Sequence, residues 1–210
     1  MGTRDYICEV CGNMNTLSPT VVARYPTWVP KRCMDCRDDG QRGPQTASQA
    51  SLTRSEVLQR FTAGPQTGVF TDGACEPNPG QGGWGAVKVI NGQVIEERHG
   101  QEQQTTNNRM ELQALIDGYK MLNKNEELPV YSDSELCVNT INKWAAAWKR
   151  NGWTRGKKRE EIKNLDLVQE LYALAQSHPR PELQWIRGHA GSRWNEYADA
   201  LSRADQPRVI

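Results

Sequence analysis

Apolar residues in the last two-thirds of the chain fall into two rhythms, and the alternation between them predicts the elements. Residues 68–72 and 84–90 read as strands, short apolar runs bounded by glycine and proline. Residues 91–100, NGQVIEERHG, open on an Asn-Gly turn and continue as a third strand, so 84–100 is a hairpin. Residues 107–123 carry Met110, Leu112, Leu115, Ile116, Tyr119 and Leu122 at a helical period. A buried strand at 129–132, helices at 134–148 and 165–176, a strand at 182–188 and a closing helix at 193–204 complete the order. A hairpin followed by strands joined through helical crossovers specifies an α/β domain with a mixed sheet.

Ahead of this domain, which spans 67–206, the pattern changes. Residues 1–39 read as one small unit. Residues 40–66 are a linker, polar and rich in Gln, Ser and Ala with Gly40, Gly43 and Pro44, ending in a short helix at 53–62. No apolar run approaches the roughly 20 residues of a membrane span, and the first ten residues lack the basic and apolar regions of a secretory signal. With the cysteine usage below, this leads us to expect a cytoplasmic protein with no membrane partner, working as a monomer. The net charge of +1 does not announce a nucleic-acid partner. Its distribution says more: residues 143–163 hold eight Lys or Arg against two Glu.

The chemistry follows from the acids. Asp72 ends the first strand and Asp133 the fourth, and ligands of open α/β sheets gather outside the carboxyl ends of parallel strands. If those strands are neighbours, the two carboxylates converge. Glu111 lies in the first turn of its helix and Asp199 in the middle of the last one. Any one such Asp is more often a helix cap or a solvated turn residue. Several carboxylates at one place repel each other unless a cation lies between them. Oxygen ligands suit Mg²⁺ or Mn²⁺, and two such ions can clamp the attacking and leaving oxygens of a phosphodiester displacement.

Four segments, FTDGACEPNPGQGGWGA, TTNNRMELQAL, VYSDSELCVN and WIRGHAGSRWNEYADALS, occur in an order that resembles the type 1 ribonuclease H family over residues 68–205. The resemblance implies a ribonuclease H-like fold, a five-stranded mixed sheet with flanking helices. It also implies endonucleolytic hydrolysis of the RNA strand of RNA–DNA hybrids, leaving 5′-phosphate and 3′-hydroxyl ends. Carried over by position, Asp72, Glu111, Asp133 and Asp199 match the family's metal-binding acids, with Asp72 bridging two Mg²⁺, for which Mn²⁺ can substitute. His189, in GHAG, matches the mobile-loop histidine that assists proton transfer or product departure. A histidine between glycines can move, and its ordinary pKa suits proton traffic. The resemblance further places Cys75, Glu76 and Asn78 against the RNA strand, Asn107 at a hybrid-contacting position, and Thr106 and Asn108 in a pocket for a DNA-strand phosphate. On the residues alone, TTNN is also a helix cap and Cys75 a small buried filler. Position 135, Gln in many relatives, is Glu here.

The basic segment resembles the protruding handle of some family members. Lys149, Arg150, Lys157, Lys158 and Arg159 are candidates for salt-sensitive phosphate contacts. Trp144, Trp148 and Trp153 are expected to pack against a neighbouring helix rather than stack on bases. In the N-terminal unit, Cys8, Cys11, Cys33 and Cys36 form two C-x-x-C pairs, the spacing of a zinc ribbon around one structural Zn²⁺. Rubredoxin-like iron fits the same ligands. The ribbon would serve as an auxiliary module for nucleic acid, with Arg24, Tyr25, Trp28, Lys31 and Arg32 as its surface, or for protein docking. Two rival functions are a non-catalytic hybrid-binding module and a DNA-cutting nuclease of the same fold.

Overall fold

The computed structural model describes residues 3–7, 14–31, 52–180 and 183–204, in two compact units, Met1–Ala50 and Ser51–Ile210. Cys8, Cys11, Cys33, Cys36 and Arg32 lie outside the described residues, as does the linker from 40 to 51. In the first unit, β1 (Arg4–Ile7) pairs antiparallel with β2 (Met14–Leu17), and α1 (Pro19–Arg24) follows with a proline in its first turn. Proline is favoured there because its missing N–H has no partner in a helix start.

The second unit begins with α2 (Arg54–Arg60), started by a reciprocal capping box between Thr53 and Glu56. Then come β3 (Gly68–Cys75), β4 (Gly80–Ile90), β5 (Gln93–Thr105) and α3 (Asn107–Lys120). Asn91 and Gly92, both at positive φ, turn the chain from β4 into β5. After β6 (Val130–Ser132), a helix starts as α4 (Glu135–Asn139), widens into one π-helical stretch (Thr140–Trp144) and resumes as α5 (Ala145–Arg150). The single helix expected over 134–148 is thus interrupted. Within the widened turn Asn142 donates from Nδ2 to the carbonyl of Leu183, 2.8 Å away. The last elements are α6 (Leu165–Ser177), β7 (Leu183–Trp185) and α7 (Arg193–Ser202).

The five strands lie in the order β5-β4-β3-β6-β7. The β5-β4-β3 portion is antiparallel and the β3-β6-β7 portion parallel, as the hairpin-then-crossover order requires. Central β3 is covered on both faces. Val69 joins the core made with α3 and α6, and Phe70 joins the core made with α7 and Val57 of α2. This is why β3 reads as a continuous apolar run rather than an alternating one.

Several boundaries differ from expectation: β5 runs on to Thr105 rather than 100, β7 stops at Trp185 rather than 188, and two more involve glycines. β3 does not end at Asp72 but runs on to Cys75, and β4 begins at Gly80 rather than 84. Gly73, expected in a loop, is in the strand, and a Cβ added there would fall on the backbone of Met110 and Glu111. One at Gly85 would run into Leu201 and the carbonyl of Ala198. The absent side chains let α3 and α7 press onto the middle of the sheet from opposite faces.

Candidate active site

That close approach assembles the acids. Thr71 of β3 pairs with Ser132 of β6, so the next residues, Asp72 and Asp133, leave the two parallel strands side by side. α3 crosses at Gly73 and delivers Glu111. One carboxylate oxygen from each of Asp72, Glu111 and Asp133 lies within 4.8 Å of the others. Asp72 and Glu111 are buried, and Asp133 is partly exposed. Asp199 of α7 stands beside this trio rather than within it. Arg203 holds its Oδ1 from Nε at 3.0 Å and from Nη2 at 2.9 Å.

The cluster is electrostatically unsatisfied. Burial, followed by repulsion from Asp133 and Asp199, pushes the Asp72 carboxyl well above the usual carboxylate range. Burial and then Asp72 and Asp133 do the same to Glu111, and burial also raises Asp133. Side-chain hydrogen bonds from α7 are among the contacts that work against the shifts. Ser202 Oγ lies 3.0 Å from Asp72 Oδ2 and Asn195 Nδ2 donates to Asp133 Oδ2 at 3.1 Å. Glu111 Oε2 is buried without a hydrogen-bond partner. An orphaned buried oxygen within a group of repelling carboxylates fits a hard divalent cation, which satisfies oxygen lone pairs and cancels like charge together.

His189 sits at φ +48 in the loop before α7, with most of its side chain exposed. Its Nδ1 is 3.8 Å from Glu196 Oε2. Glu196 first, then Asp199 and Asp72, raise the imidazole pKa to about 9 against the opposing effect of burial. Gly188 packs on the Asp133 carboxylate, where a Cβ would come 2.5 Å from Oδ2. The histidine loop is therefore seated directly against one of the acids.

The residues expected at the substrate form a second group at the start of α3. Thr106 caps the helix, its side chain accepting from Arg109 N at 3.4 Å. Asn107 Oδ1 accepts from Cys75 N at 2.9 Å, and its own backbone N donates to Asn78 Oδ1 at 3.2 Å. This tie holds the 75–79 turn against the helix. Cys75 is buried, its Sγ directed at the carbonyls of Pro77, Gly80 and Thr105. Glu76 and Asn108 are exposed. Lys149, Arg150, Lys157, Lys158 and Arg159 are all exposed as well. The last three lie on a turn closed by backbone bonds of 3.0 and 2.9 Å between Arg155 and Glu160. Trp148 and Trp153 pack on the main core, Trp153 edge-on to Tyr172, while Trp144 leans on Trp148 and stays partly exposed.

The motifs assign no role to Asn195, Ser202 or Arg203, although the first two lie within the last of them. The signal was present: Asn195, Asp199 and Ser202 are spaced i, i+4, i+7 and share one helix face. Known proteins agree with the geometry. Residues 65–206 match the family described as RNase H. The ribonuclease H of Francisella tularensis subsp. novicida (strain U112) is 47% identical over 133 residues, 63% of this chain and 86% of the relative. The crystal structure of LC9-RNase H1, a type 1 RNase H with the type 2 active-site motif, is 28% identical with a TM-score of 0.50, covering 68% of this chain and 74% of that one. The solution structure of the PFV RNase H domain shares the fold at 22% identity, with a TM-score of 0.55 over 66% of this chain and 90% of that one.

Proposed function

Because this chain belongs to the RNase H family and is a ribonuclease H enzyme, we propose that it cuts the RNA strand of RNA–DNA hybrids endonucleolytically, using two Mg²⁺ ions held by Asp72, Glu111, Asp133 and Asp199. The carrying observation is the convergence of three carboxylates, two of them buried, around the unpaired Glu111 Oε2. Bound Mg²⁺, or Mn²⁺ in its place, supplies charge neutralisation for the displacement at phosphorus.

The chain's own residues do the rest. Ser202 and Asn195 orient the Asp72 and Asp133 carboxylates from α7. Arg203 keeps Asp199 at the margin of the cluster, from which its carboxylate would help hold a bound ion. With Nδ1 turned towards Glu196, His189 is left with Nε2 to exchange a proton with the water or the departing 3′ oxygen. The tied group Asn78–Cys75–Asn107 presents a polar rim to the hybrid, where 2′-hydroxyls distinguish RNA from DNA. Glu76 adds to the same RNA-facing rim, and Thr106 and Asn108 receive a phosphate of the DNA strand. Lys149, Arg150, Lys157, Lys158 and Arg159 add sequence-independent affinity for phosphates.

The remaining assignments are inferred from the sequence alone. Cys8, Cys11, Cys33 and Cys36 hold one structural Zn²⁺ in a ribbon that adds a nucleic-acid or protein contact, and the protein works as a cytoplasmic monomer. The deciding assay is cleavage of a labelled RNA–DNA hybrid with Mg²⁺, by the wild type and by Asp72→Asn. Cutting of the RNA strand by the wild type alone is expected. Binding of hybrid by both proteins without cutting, with Mn²⁺ as well, would overturn the enzymatic reading.

A further inference from the structure

The RNase H match begins at residue 65, yet the segment before it is built into the domain. Val57 of α2 is buried in the same core as Trp194, Tyr197 and Leu201 of α7. Arg193, the first residue of α7, reaches back to α2. Its guanidinium donates to the carbonyl of Phe61 at 2.5 Å and to that of Leu58 at 3.0 Å. These are carbonyls at a helix end, which the helix itself leaves unpaired and which attract a cation. The backbone N of Arg193 donates to the carbonyl of Ala63 at 2.9 Å, and Ala63 bridges Ser192 in parallel fashion.

These contacts all land on one end of the histidine loop. The other end is fixed by the sheet: Ile186 N donates to the carbonyl of Ser132 at 3.0 Å, and Gly188 rests on Asp133. His189 is thus carried on a short span between two anchors, with Glu196 of α7 holding Gly191 N and facing His189 Nδ1 within it. One belongs to the strand beside Asp133. The other is α2 and its tail, a segment outside the family match.

We propose that residues 54–64 are a positioning element for His189 and that Arg193 is the positioning residue through which they act. Arg193 touches none of the acids. It fixes the trailing anchor of the loop and so keeps the imidazole within reach of the carboxylates. The inference rests on the RNase H reading and adds to it a determinant of rate, residues 54–64, that lies outside the matched residues 65–206.

The test uses the full chain as wild type, Arg193→Gln, Arg193→Lys, His189→Ala and the Arg193→Gln/His189→Ala double variant. Hybrid-cleavage kinetics are normalised to the folded fraction from urea melts, and hydrogen exchange is followed at the amides of 188–192. Arg193→Gln is expected to speed exchange in the loop and to lower kcat by about tenfold, the scale of a misplaced catalytic group, with KM nearly unchanged. Arg193→Lys, which keeps a charged donor, recovers most of the rate. In the His189→Ala background Arg193→Gln adds nothing further, as expected for two changes acting through one group. Unaltered loop exchange, or an equal loss of kcat in the His189→Ala background, overturns the proposal. If the wild type cuts no hybrid, the functional reading fails by itself, and the exchange data still decide whether Arg193 anchors the loop.

Discussion

Lys88 in β4 and Asp72 in β3 are both charged side chains with almost no exposure, 5% and 6%, and the fold treats them in opposite ways. Lys88 has everything it needs. Its Nζ lies 2.6 Å from Glu126 Oε2 and donates to the carbonyl of Met121 at 3.3 Å, and Glu126 in turn accepts from Asn123 N at 2.9 Å. Asp72 faces Glu111 and Asp133, charges of its own sign, with Ser202 as its one side-chain hydrogen-bond partner among the described residues. A buried charge that is paired holds a fold together. A group of buried like charges works against it and marks a place where binding energy is still to be collected.

The comparison breaks most sharply at Asp72. Asp72→Asn is expected to lower hybrid cleavage by at least about a thousandfold, since it removes a ligand from the charge-neutralising centre. The same variant is expected to stabilise the metal-free protein by on the order of 1–2 kcal/mol, because it relieves repulsion in a buried site. Urea melts in EDTA check the second claim, and a destabilised variant would contradict it.

Lys88→Met should do the reverse. It leaves the partly buried Glu126 carboxylate with only its Asn123 hydrogen bonds and costs roughly 1–3 kcal/mol in a urea melt. The activity of the molecules that remain folded should not change.

The pH dependence separates the two regions further. The cluster carboxyls have folded pKa values raised above their unfolded ones, so the folded state binds their protons more tightly. The stability this contributes is fully present below the ordinary carboxylate range and is lost as pH rises through the raised values. The melting temperature without divalent cations should therefore fall across that window, and saturating Mg²⁺ should flatten the slope. Asp72→Asn should flatten it too, without metal. A smaller effect is expected at Ser202. Ser202→Ala removes the hydroxyl at Asp72 and should cost about 1 kcal/mol of metal-free stability, with a modest change in Mg²⁺ affinity measured by calorimetry.

How much of this was legible beforehand varies with the kind of feature. The convergence of Asp72 and Asp133 follows from two acids that come directly after the last paired residues of neighbouring parallel strands, and the strand order places them together. Glu111 could be read from its motif, although it sits in the second turn of α3 and not, as expected, in the first. The length of β3 could not. Gly73 looks like the start of a loop in the sequence, because glycine advertises permissiveness and not the neighbour that requires it. The π-helical stretch at 140–144 was hidden because the apolar period continues through it, while its Asn142 answers to a carbonyl 41 residues away. The tie between α2 and Arg193 was equally invisible, since a short helix after a polar linker carries no mark of what it docks on. Sequence exposes what a residue offers; long-range partners appear only when the chain is folded.

Gly73 carries a consequence for how variation in this protein would be read. It has no donor, acceptor or charge, yet the distance between Asp72 and Glu111 depends on two backbones touching at that point. An exhaustive mutational screen scored by hybrid cleavage would rank position 73 with the carboxylates themselves, and no replacement, however small, would rescue it. A screen scored by protein abundance would penalise the same substitutions as well, because the added atoms meet the backbone of α3 rather than a side chain that can move aside. Low rank in both screens would single out a residue whose entire contribution is the volume it leaves empty.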